Sequence, residues 1–202
     1  MDFEEYLIDA ELHIATLGRD DRHSNAHSHP YEPTSYSVLN RLAESGLITA
    51  EDRLIDYGSG KGRVPIYLSD RIGCESVGVE SVEEFYEASL RNLKAYEADG
   101  GISGKARFIY AKAQDYEVSD SVSVVFFFNP FSESIMRPVM NRILESYDRC
   151  PRNIRMFFYY PADSYIAYLS GIDEVMFADE IDCTDLFKEN DPRNRIMIFE
   201  IG

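Results

Sequence analysis

The chain has 202 residues, 45% of them apolar and 13% aromatic, with a formal net charge of −16 from 20 basic and 36 acidic side chains. That is enough apolar material for a single core, since cores below roughly 250 residues rarely split, and no apolar run approaches the roughly 18 residues a membrane span needs. Neutralising phosphates takes clustered Lys and Arg, which the sequence lacks, so a long nucleic acid is disfavoured as a partner.

Residues 1–18, MDFEEYLIDAELHIATLG, are acidic and amphipathic, where a secretory signal has a basic start and an unbroken apolar stretch. Cys74, Cys150 and Cys183 are widely spaced and outside any C-x-x-C pattern. Both features point to free thiols in a reducing, cytoplasmic setting. Residues 19–36 are polar and broken by Pro30 and Pro33, which reads as a loop or lid. Within it His23, His27 and His29 spell H-x-x-x-H-x-H. They lack a placed fourth ligand, so no metal is expected there.

Val38, Leu39 and Leu42 predict a short helix over 37–46, stopped by Gly46. A regular alternation follows. Strands are expected at 53–58, 75–80, 106–113, 122–130 and 153–161, and helices at 61–73, 81–100 and 133–150. The fourth and fifth strands are continuous apolar runs, as in a parallel sheet covered on both faces. Residues 173–181 and 194–202 are strand-like, but the segment between them is too short for a parallel crossover, so they form an antiparallel hairpin. The expected fold is α/β: a doubly wound, Rossmann-like, seven-stranded sheet, mostly parallel, with helices on both faces and ligands at the carboxyl ends of its strands. Residues 1–33 read as an N-terminal helix and lid-like extension, and 34–202 as the domain.

Residues 56–64, DYGSGKGRV, lie at the first of those strand ends. A triphosphate-binding loop needs G-x-x-x-x-G-K followed by Ser or Thr; here Ile55 stands five before Gly60, and Gly62 replaces the hydroxyl. A dinucleotide loop needs G-x-G-x-x-G, whereas the spacing here is G-x-G-x-G, with Arg at 63. Lys61 is thereby read as a solvent-facing start to the helix. What remains is Asp56, then Gly58, Ser59, Gly60 and Gly62, with Glu80 at the end of the second strand, 24 positions after Asp56.

That set resembles motif I and the following acidic residue of the class I S-adenosylmethionine-dependent methyltransferases, over about residues 34–202. The resemblance implies a methyltransferase with S-adenosylmethionine as cofactor and S-adenosylhomocysteine as product. It places Asp56, Gly58, Ser59, Gly60, Gly62 and Arg63 around the donor's amino-acid and ribose portions, and Glu80 on the ribose hydroxyls. Ala113, Gln114 and Asp115 fall beside the adenine, and Asn129, Pro130 and Phe131 at the family's motif IV. There the sequence NPF is similar to the N-P-P-[FY] of amino-group methyltransferases, in which the amide accepts from the target nitrogen. Ser132 stands where the aromatic would be, which argues against a planar nucleobase or amide acceptor. Tyr31, Thr34 and Tyr36, from HPYEPTSY, resemble the lid of small Dot1-like protein-lysine methyltransferases. Tyr160, with Tyr159, is a candidate to line the acceptor site. The implied reaction is methyl transfer to an amine, on a protein lysine or a small molecule. A non-catalytic S-adenosylmethionine-binding module and an NAD-binding oxidoreductase are the rival readings.

Overall fold

The apolar strand segments assemble into one sheet. The structure is a computed structural model and describes residues 3–23 and 30–202. Its elements, in chain order, are α1 (Phe3–Glu11), α2 (Tyr36–Glu44), β1 (Arg53–Tyr57), α3 (Arg63–Ile72), β2 (Glu75–Glu80), α4 (Glu83–Ala98), β3 (Ala106–Tyr110), β4 (Val124–Phe128), α5 (Glu133–Arg149), β5 (Ile154–Tyr159), α6 (Asp163–Leu169), β6 (Met176–Asp182) and β7 (Arg195–Ile201). The sheet order is β3-β2-β1-β4-β5-β7-β6. The first five strands are parallel, and β7 is antiparallel to both β5 and β6. No helix of the described residues is long and apolar enough to cross a membrane.

Register sorts the side chains into two cores. Tyr57, Phe127 and Phe158 stand opposite one another across β1, β4 and β5. Their rings stack at 5.4 and 4.6 Å, beneath Met136, Met140 and Tyr165 of α5 and α6. One residue earlier, Asp56, Phe126 and Phe157 point to the other face, because successive strand residues alternate. Phe126 and Phe157 pack there with α2, α3 and α4.

Three local differences from the sequence reading have physical reasons. The third strand stops at Tyr110, and Ala113–Asp115 turn into a short 3₁₀ helix. The seven-residue α6, with only Tyr165 and Leu169 buried, is too short to show a helical period. Finally, Leu12 and Ile14 belong to the same core as Leu39 and Phe126, so the N-terminal stretch packs into the domain. Cys74 and Cys183 are buried and Cys150 is exposed, all as free thiols.

Candidate active site

A cleft with a cavity volume of about 120 Å³ opens where β1, β2 and β4 end, lined by the glycine loop, the end of β2, the segment after β4 and residues 30–34. Its floor depends on backbone that only glycine adopts easily. Gly58 (φ +74°) leaves its open side to Pro130, whose Cβ would lie 2.6 Å from any added Cβ. Gly60 (φ +53°) is covered by the ring of Tyr31. The loop is thus held between the NPF segment and Tyr31.

Two acids face the cleft. Asp56 is 4% exposed, and its carboxylate accepts no hydrogen bond and makes no ion pair among the described residues. Burial, with a contribution from the charge of Glu80, holds its pKa well above the ordinary carboxylate range. Glu80 is also buried and also raised, chiefly by desolvation. Backbone N–H groups oppose that shift. Gly60 donates to Oε2 at 2.8 Å, and Ser81 and Val82 donate to Oε1 at 2.7 Å each. A carboxylate has about four acceptor sites, so Glu80 retains acceptor capacity while pinning the loop to β2.

Asn129 and Tyr160 follow the ends of β4 and β5 in the left-handed region, at φ +39° and +51°, a strain that non-glycine residues rarely carry. Their side chains go different ways. Asn129 lines the cleft with a buried Oδ1 that has no hydrogen-bond partner. Tyr160 turns away and donates to Asp191 at 2.5 Å, while Tyr159 is buried in the core and reaches Asn194 at 3.3 Å. Neither tyrosine lines the cleft. Phe128 and Phe131 supply its aromatic wall instead.

Of the candidate residues, Tyr31, Thr34, Asp56, Gly58, Ser59, Gly60, Arg63, Glu80, Ala113, Asn129, Pro130 and Phe131 come together at the cleft. Ser59 brings a second buried, unpartnered oxygen, its Oγ. Tyr36, Gly62, Gln114, Asp115 and Tyr160 do not line it. Tyr36 is fully buried behind the site, its hydroxyl donating to Asp9 at 2.5 Å. Gly62 serves as the N-cap of α3. Gln114 and Asp115 sit in the 3₁₀ turn, where the Gln114 carbonyl meets Arg142 at 3.3 Å.

Lys61 is not solvent-facing as expected: its ammonium donates to the Leu17 carbonyl at 3.1 Å and lies 4.7 Å from the Tyr31 ring centre. His23 lines the cleft, its ring 5.1 Å from Phe85. His27 and His29 lie outside the described residues. His23, Val82, Phe85 and Phe128 were missed as site residues, since nothing in their spacing separates them from ordinary loop and core positions.

The residues meet the demands of a cationic, hydroxyl-bearing ligand. Glycines permit backbone approach, a buried carboxylate lacks a counter-charge, and two buried oxygens lack partners.

No family model matches the chain. Over 117 residues, 57% of this chain and 70% of the relative, it is 25% identical to a protein-lysine N-methyltransferase of Saccharolobus islandicus. An RNA methyltransferase of Salinibacter ruber, solved with S-adenosyl-L-homocysteine, superposes with a TM-score of 0.55 at 16% identity, covering 84% of this chain and 92% of that one. A TehB-like S-adenosylmethionine-dependent methyltransferase of Corynebacterium glutamicum superposes at 0.58 with 11% identity, covering 83% and 88%. The fold is that of the class I methyltransferases. Fold, glycine loop and sequence relative are all consistent with a class I S-adenosylmethionine-dependent methyltransferase.

Proposed function

We propose that the methyl acceptor is an amine, the side chain of a lysine in a protein. The observation that carries this reading is Asn129, which lines the cleft and whose side-chain oxygen is buried without a partner. Such an oxygen suits a nitrogen that must donate a hydrogen while its lone pair points at the methyl group. Two further facts support it. The Saccharolobus islandicus relative is a protein-lysine N-methyltransferase, and a chain of net charge −16 attracts lysine-rich protein and repels RNA.

When bound, S-adenosylmethionine supplies an electrophilic methyl group on a sulfonium. Asp56 pairs with the donor's ammonium, and Glu80 accepts from its ribose. Ala111 and Ala113 give the purine an apolar wall. Phe128 and Phe131 exclude water from the acceptor amine and favour its neutral form, which lysine, with a pKa of about 10.4, must reach before it attacks. Most of the rate gain comes from holding nitrogen, carbon and sulfur in line.

The test is transfer of a labelled methyl group to cell extract separated into protein, RNA and small-molecule fractions. We expect label in protein, sensitive to protease and resistant to ribonuclease, recovered as N-methyllysine after hydrolysis. Label in RNA sinks the lysine reading, and binding of the donor without any transfer favours a non-catalytic module. Asn129→Ala should lower kcat about a hundredfold, as misplacement of a reacting group does, while leaving affinity for S-adenosylhomocysteine within about threefold.

A further inference from the structure

Arg63 opens α3 directly after the glycine loop and is 2% exposed, yet its hydrogen bonds do not run to the loop. Nε donates to Thr16 Oγ1 at 2.7 Å, and Nη1 donates to the Thr34 carbonyl at 2.9 Å and to Glu5. Nη2 reaches Asp9 Oδ1 at 3.5 Å. The guanidinium also lies 4.0 Å from the ring centre of Tyr36. Every one of these partners belongs to residues 5–36.

The same carboxylates organise that segment. Glu5 accepts from Ser35 Oγ at 2.9 Å and from the Tyr36 N–H at 2.7 Å, capping α2, whose own N-cap side chain makes no such bond. Asp9 accepts from the Thr16 N–H at 2.6 Å and hydroxyl at 2.7 Å, and from Tyr36. Asn92 adds a parallel tie, donating to the Lys61 carbonyl at 2.8 Å and accepting from the Ala15 N–H at 3.0 Å. Between these anchors run Tyr31, which covers Gly60, and Thr34, which lines the cleft.

We propose that Arg63 is a positioning residue that latches the N-terminal segment, through Glu5, Asp9 and the Thr34 carbonyl, across the glycine loop, so that residues 31–34 form a fixed wall of the donor cleft. This rests on the reading of the cleft as a donor site. An always-charged, planar guanidinium suits the role, because it serves acceptors in several directions from one buried point. A buried charge of this kind also ties the segment to a single arrangement, since any alternative leaves it without partners.

Glu5→Gln tests the latch with little collateral change, because the amide oxygen can still cap α2. Arg63→Lys keeps the charge and loses the fork. Both should raise the Kd for S-adenosylhomocysteine and the KM for S-adenosylmethionine about five- to thirtyfold, the range set by replacing charge-assisted with ordinary hydrogen bonds. At saturating donor, kcat of Glu5→Gln should stay within about twofold of wild type, because Glu5 is outside the cleft and the reacting groups. Without ligand, trypsin should cut after Arg19 and Arg22 faster in both variants. Glu200→Gln, which removes the pairing with Arg155 on β5 far from the cleft, should change none of these values. The proposal is overturned if both latch variants bind as wild type with unchanged cleavage, if kcat alone falls, or if Glu200→Gln weakens binding as much. Failure of the wild-type protein to bind S-adenosylhomocysteine would instead sink the donor reading, and the ligand-free cleavage rates would still decide the latch.

Discussion

At Asp56, function and stability pull in opposite directions. Burial and the charge of Glu80 raise this carboxyl well above its ordinary 3.8, so the folded chain binds the proton more tightly than the unfolded one. Its contribution to stability is present at low pH and falls as pH climbs from 3.8 through the raised folded value. Asp56→Asn removes that loss, so the variant should melt above wild type at pH 7.5, with the gap closing toward pH 4 in parallel melting curves. A cationic donor favours the carboxylate, so its binding should release a proton and tighten as pH rises. Calorimetry in buffers of different ionisation enthalpy measures the proton, and the same Asn variant should bind the donor about ten- to a hundredfold more weakly. Glu80 is buried beside Asp56, but its three N–H donors favour its charged form. Asp56 has no such donors, so it is the more strongly raised of the two.

Among the elements, the contact between the glycine loop and the segment after β4 is the least tolerant. Gly58→Ala needs both a left-handed backbone and a Cβ where Pro130 stands. We expect a loss of about 1–3 kcal/mol, read as a Tm several degrees lower, with weakened donor binding because Pro130 and Asn129 must shift together. The elements also explain which candidates were legible in the sequence. Asp56 and Glu80 were, because a strand end fixes where the chain leaves the sheet. Tyr36 was not: α2 begins at that residue and turns its ring into the core. Gln114 and Asp115 were placed correctly in the chain, but the 3₁₀ turn carries them off the cleft. Tyr160 looked like a wall because β5 ends beside the site, and its positive φ sends it to Asp191. Glu5 and Asp9, four residues apart on α1, lie in a stretch that the sequence marks only as acidic and amphipathic, and the buried Arg63 gives them their meaning.

For the whole molecule, the succession of strands and helices along the chain could be outlined from periodicity, whereas the order of the strands in the sheet, with β7 between β5 and β6, and the burial of the N-terminal stretch depend on contacts between residues far apart in sequence. The net charge of −16 acts on the same scale. With a basic protein acceptor, kcat/KM should fall several-fold between about 0.05 and 0.5 M salt as screening shortens the field to a few ångströms, with kcat unchanged; an RNA acceptor would show the reverse. The cysteines have a practical consequence. Cys74 and Cys183 are buried, with thiols pushed up to about 11 by desolvation, so almost none of either is thiolate at neutral pH. Cys150 alone is exposed. A maleimide dye should therefore attach once to the native protein and three times after denaturation, as mass spectrometry would count. The end of α5 thus offers a single native fluorophore position, on the sheet face opposite α2 and α3, that can be labelled without mutating a cysteine.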